Sequence, residues 1–132
     1  MSLVLVADDE AAVLEVLSEV VEDLGHEVAR ARDGREALAL ARSRPPALIV
    51  TDHLMPVLSG VELCKQVRKD EKLKNVPVIL LSAAPPKGLN EGYAFLSKPF
   101  ELVDFEAMVK RLIEEPAPVS PVAAPAKRAR SR

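Results

Sequence analysis

At 132 residues the chain has room for one domain with a substantial core and none for two. Its 48% hydrophobic content is mostly aliphatic, and only 3% aromatic content argues against a base-stacking, RNA-binding surface. One cysteine, Cys64, excludes an internal disulfide, and two histidines are too few for a zinc cluster.

No apolar run reaches membrane-spanning length, and the N-terminus lacks a signal-peptide pattern, so the expectation is a soluble, cytoplasmic protein. The net charge of −2 is unevenly placed. Lys127, Arg128, Arg130 and Arg132 crowd the C-terminus, leaving 14 basic against 20 acidic residues in the body.

In chain order, "LVLVAD" from Leu3 is a short continuous apolar run, the mark of a strand buried on both faces. Val13, Leu17, Val20 and Leu24 then repeat at helical spacing up to Gly25, a helix stop. "HEVAR" reads as a second strand. Asp33 with Glu36 forms a capping-box signature for a helix running to Ser43, ended by "RPP". "ALIVTD" from Ala47 is a third buried strand, Ser59 with Glu62 opens a helix over "VELCKQVRKD", and "VPVILLS" from Val76 is a fourth strand. "YAFLSK" ends a fifth, before an amphipathic stripe of Phe105, Met108, Val109, Leu112 and Ile113. Strands alternating with helices predict an α/β fold, a doubly wound five-stranded parallel sheet with helices on both faces. The domain spans 3–115. Residues 116–132, Pro/Ala-rich and basic, read as a disordered tail or a truncated linker.

Ligands of such sheets gather beyond the carboxyl ends of the strands. Those ends carry Asp8 and Asp9, Asp52, Ser82 and Lys98. Clustered carboxylates repel phosphate on their own, but a hard divalent cation reverses the sign, and Asp without His or Cys favours Mg²⁺ over zinc.

"VADDE", "TDHLMP", "LLSAA" and "FLSKPF", in that order and spacing, resemble the receiver domain of two-component response regulators. The resemblance implies a flavodoxin-like sheet of order 2-1-3-4-5. It further implies that Asp52 is a phosphoacceptor taking a phosphoryl group from a sensor histidine kinase or a histidine phosphotransfer protein. Mg²⁺ would be held directly by Asp9, Asp52 and the backbone carbonyl of Leu54, and through water by Asp8. Lys98 would pair with the phosphoryl oxygens, Ser82 and Phe95 would form the switch, and Pro99 would follow a cis peptide. Downstream stands a protein target of unknown identity, with homodimer formation open, no membrane partner, and nucleic acid reachable only through the basic tail.

Two features depart from the family pattern. Only 15 residues separate Ser82 from Lys98, so the fourth helix, "PKGLNEGY" at best, should be short or irregular, and the output surface it helps to form is in doubt. Phe95 stands where Tyr is common. Two rival readings share these residues. A phosphorylation-independent interaction module would fit a frozen 83–97 segment. An aspartate-nucleophile phosphatase would place a second acid two residues after the nucleophile, where this chain has Leu54. His53 should point away from the site because side chains alternate along a strand, and Cys64 should be a packing residue.

Overall fold

The aliphatic runs form the strands, and each strand end delivers a polar residue to one edge of the sheet. The structure, a computed structural model, describes residues 1–85 and 93–114. Its strands are β1 (Leu3–Ala7), β2 (Glu27–Ala31), β3 (Leu48–Asp52), β4 (Val78–Ser82) and β5 (Ala94–Ser97). Its helices are α1 (Ala11–Asp23), α2 (Gly34–Ser43), α3 (Gly60–Lys69) and α4 (Leu102–Glu114). All neighbouring strands pair in parallel, in the order β2-β1-β3-β4-β5. The strand order therefore reverses between β1 and β3, and the expected doubly wound sheet is the one found. The short helix anticipated before Lys98 falls on 86–92, and the basic tail on 116–132; both lie outside the described residues.

Strand alternation divides the core. Val4, Val6, Leu48, Val50, Ile79 and Leu81 face α1 and α4, where Leu14, Leu17, Val21, Phe105, Met108 and Val109 cover them. Leu5, Ile49, Val78 and Leu80 face α2 and α3, against Ala37, Ala41, Leu63, Cys64 and Val67. Cys64 is fully buried, as its packing role requires. Fully buried Phe105 closes the α4 side, and truncating a ring of that kind to Ala costs about 3–5 kcal/mol.

Local chemistry sets the helix ends. Gly25, at φ +94°, lets α1 finish with the Gly25 and His26 N–H groups donating back to the Glu22 and Val21 carbonyls. Asp33 Oδ1 accepts from the Glu36 N–H at 2.8 Å, and Ser59 Oγ accepts from the Glu62 N–H at 3.2 Å. The reciprocal half of the first box is displaced by one residue: Glu36 Oε1 accepts from the N–H of Arg32, at 2.8 Å, rather than from Asp33. At α3, a Cβ on Gly60 would collide with the backbone carbonyl of Asp52, so only glycine lets this helix start against the end of β3.

Candidate functional site

The register of the sheet assembles the site. Ala7 lies opposite Thr51 in the β1–β3 pair, so Asp8 and Asp52, each next along its strand, emerge side by side at the carboxyl edge. Asp8, Asp9 and Asp52 each offer a carboxylate oxygen within 4.8 Å of the others. Asp8 is fully buried, Asp52 is 6% exposed, and Asp9 opens to solvent.

One oxygen of Asp8 accepts the Glu10 N–H at 2.9 Å; its other oxygen is buried with no hydrogen-bond partner. Burial pushes the Asp8 carboxyl above its ordinary pKa, the Glu10 N–H opposes this, and the neighbouring charge of Asp52 reinforces it. A carboxylate kept desolvated beside two others is costly without a cation. Three carboxylates with no imidazole or thiolate among them form an oxygen-only donor set, which fits a hard divalent ion such as Mg²⁺.

Lys98 completes the cluster. Its Nζ lies 2.5 Å from Asp52 Oδ1, with the lysine side chain 33% exposed. Burial alone would lower the Lys98 pKa, but the hydrogen bond and charge of Asp52, joined by Asp8 and Glu10, hold it above its ordinary value. The Lys98 N–H donates to the Ser82 carbonyl at 2.9 Å, and the Lys98–Pro99 peptide is cis.

Four of the predicted residues, Asp8, Asp9, Asp52 and Lys98, thus converge. The others sit around them. Ser82 ends β4, its hydroxyl accepting the Ala84 N–H at 3.4 Å. Phe95 is buried in β5 opposite Leu80. Leu54 projects from the loop after β3 with 76% of its surface exposed. His53 Nδ1 is buried with no hydrogen-bond partner, and the His53 backbone N–H donates to the Leu81 carbonyl at 2.9 Å.

The sequence reading missed Arg32, whose Nη2 donates to the Asp9 carbonyl at 3.1 Å. Parallel pairing of β1 with β2 was the signal that could have found it, since residues just past one strand lie beside those just past the other. Thr51 also escaped notice; its buried hydroxyl donates to the Asp52 carbonyl at 2.9 Å.

Residues 4–110 match the family described as "Response regulator receiver domain". The chain belongs to that family. This receiver domain is 34% identical over 113 residues to the polar-differentiation response regulator DivK of Brucella ovis, an alignment covering 81% of this chain and 92% of DivK. It is 35% identical over 128 residues to the Bacillus subtilis alkaline phosphatase synthesis transcriptional regulatory protein PhoP, covering 92% of this chain and 51% of PhoP. Among solved structures, chemotaxis protein CheY4 of Vibrio cholerae superposes with a TM-score of 0.75 at 32% identity, over 84% of this chain and 98% of that one. The receiver domain of a Pseudomonas aeruginosa PAO1 sensor histidine kinase, solved with magnesium coordinated in its active-site cleft, superposes at 0.76 with 25% identity, over 86% of this chain and 98% of that one. Among the described residues of this receiver, no helix is long and apolar enough to cross a membrane.

Proposed function

We propose that this receiver is a Mg²⁺-dependent phosphoacceptor switch in which Asp52 accepts a phosphoryl group from a phosphohistidine. The observation that carries the reading is the Asp52 carboxylate held between two other carboxylates and the Lys98 ammonium, 2.5 Å away. An Asp52 oxygen attacks phosphorus, the P–N bond breaks, and its electron pair returns to the donor imidazole, leaving an acyl phosphate on Asp52. Asp9, Asp52 and the Leu54 carbonyl would hold the cation, with Asp8 binding through water. Bound there, Mg²⁺ supplies charge neutralisation for the incoming phosphoryl oxygens. Lys98 supplies the remaining positive charge and stays protonated to do so.

The response would run through Ser82 and Phe95. Ser82 leaves the Ala84 N–H to donate to a phosphoryl oxygen, and Phe95 repacks with it. The surface around β5 then binds its protein target with an affinity set by the free-energy difference between the two states. The upstream partner is a sensor histidine kinase or a histidine phosphotransfer protein, placing the receiver in the cytoplasm. No turnover is implied. The exposed apolar side chain of Leu54, where an aspartate-nucleophile phosphatase would need an acid, supports a switch over an enzyme.

Intact mass after incubation with Mg²⁺ and acetyl phosphate tests this reading. A labile gain of one phosphoryl group in the wild type and not in Asp52→Asn is expected. No gain in the wild type, with Mg²⁺ shown to bind, would favour a phosphorylation-independent interaction module.

A further inference from the structure

Arg32 stands at the acidic mouth with its guanidinium in no ion pair among the described residues. The guanidinium of Arg30 is paired with Glu22 at 3.3 Å, that of Arg42 with Asp70 at 3.1 Å and that of Arg44 with Glu27 at 2.8 Å. Arg32 is exposed and makes no ion pair among the described residues; instead its Nη2 donates to a neutral group, the backbone carbonyl of Asp9. Two features hold it there: the Asp8 N–H donates to the Ala31 carbonyl at 3.1 Å, fixing the end of β2 beside the end of β1, and Glu36 anchors the Arg32 N–H. The bond to Asp9 uses one of five guanidinium donors. The rest are free to meet an incoming anion.

The electrostatics give this placement a purpose. Asp8, Asp9, Glu10 and Asp52 set four carboxylates at the mouth against the single ammonium of Lys98. A bound divalent cation still leaves the mouth net negative, with the Glu36 carboxylate close by as well, and Arg32 reduces that excess. An anionic phosphodonor then approaches a less negative mouth, which raises its local concentration relative to the mouth without Arg32.

We infer that Arg32 is the capture cation for the phosphodonor, drawing its anionic group toward Asp52 by charge. This rests on the phosphoacceptor reading above. In the step it serves, with acetyl phosphate as donor, an Asp52 oxygen bonds to phosphorus while the phosphorus–acetyl oxygen bond breaks and acetate leaves with the electron pair. Arg32 forms no bond that persists.

The test measures the second-order rate constant for phosphorylation of the full chain at saturating Mg²⁺, by intact mass. Arg32→Gln should lower the rate with acetyl phosphate about fivefold at low ionic strength, and the deficit should vanish near 0.5 M salt, where charges are screened within a few ångströms. Arg32→Lys should keep most of the wild-type rate. Phosphoramidate, which carries less negative charge, should show a deficit under about twofold. Calorimetric Mg²⁺ affinity of Arg32→Gln should be unchanged or tighter, because a repelling cation has been removed. An unaltered rate at low salt, a deficit that persists at high salt, or weakened Mg²⁺ binding would overturn the inference, the last by showing that Arg32 merely braces the Asp9 peptide. A wild type that binds Mg²⁺ but gains no phosphoryl group would overturn the phosphoacceptor reading and this inference with it.

Discussion

Lys98 and Asp52 come from the ends of two strands that are not neighbours, β5 and β3, yet their charged atoms meet at 2.5 Å across the end of β4. The ammonium therefore occupies part of the space in which a metal and a phosphoryl group would act on Asp52. Lys98→Met removes that competitor. The variant should bind Mg²⁺ more tightly in calorimetry, by about threefold to tenfold, while its phosphorylation by acetyl phosphate slows at least tenfold. Unchanged Mg²⁺ affinity would mean that the ion pair and the metal do not share the carboxylate.

Asp8 illustrates function held at a cost to stability. Its carboxylate is buried, shifted upward by that burial, and left with one unpartnered oxygen. Asp8→Asn removes the buried charge, so the metal-free variant should be more stable by about 1 kcal/mol, a rise of roughly 4 °C in Tm. Mg²⁺ should bind it at least tenfold more weakly. Thermal unfolding with and without Mg²⁺ checks both halves, and a variant less stable than wild type without metal would refute the cost.

The lifetime of the phosphorylated state follows from what flanks Asp52. Leu54 and Ala84, both exposed, offer no polar side chain to orient a water for attack on an acyl phosphate. Loss of the phosphoryl group should therefore take minutes or longer in a phosphate-release assay. A lifetime of a few seconds would contradict this.

Asp70 gives a pH dependence far from the site. Its carboxylate accepts the Lys72 N–H at 2.8 Å, the leading cause of a pKa below the ordinary 3.8; burial opposes it, and the hydrogen bond and charge of Arg42 add to the lowering. A carboxyl depressed in the folded state contributes stability above its unfolded pKa and loses it as pH falls through the folded value. Asp70→Asn should thus cost stability at neutral pH, and its difference from wild type should shrink as urea denaturation is carried below about pH 3.8. A difference independent of pH would rule out the linkage.

Much of this was legible in the sequence because the β1, β3, β4 and β5 runs stop abruptly on polar residues, and a parallel sheet gathers such ends on one rim. Asp8, Asp9, Asp52 and Lys98 needed no further information. Arg32 was missed although the expected order 2-1-3-4-5 already put β2 beside β1, because nothing in its local sequence marks it as reaching back to the Asp9 carbonyl. The backbone of Val57 was not legible either: it sits at φ +71° beneath a 2.7 Å bond from the Leu58 N–H to the Pro56 carbonyl. A β-branched residue is a poor occupant of that region, so composition pointed away from the tight turn found there. Likewise the Asp33 and Glu36 pattern located the start of α2 but not the displaced bond to Arg32, which depends on the path of the preceding loop.

The central claim is that Asp52 takes the phosphoryl group. The most direct measurement is the intact mass of wild type and Asp52→Asn after exposure to Mg²⁺ and acetyl phosphate. A gain of one phosphoryl group, confined to the wild type, abolished by chelating Mg²⁺ beforehand and reversed by mild base, is the predicted result. An equal gain in Asp52→Asn, or none in a wild type that binds Mg²⁺, would contradict it.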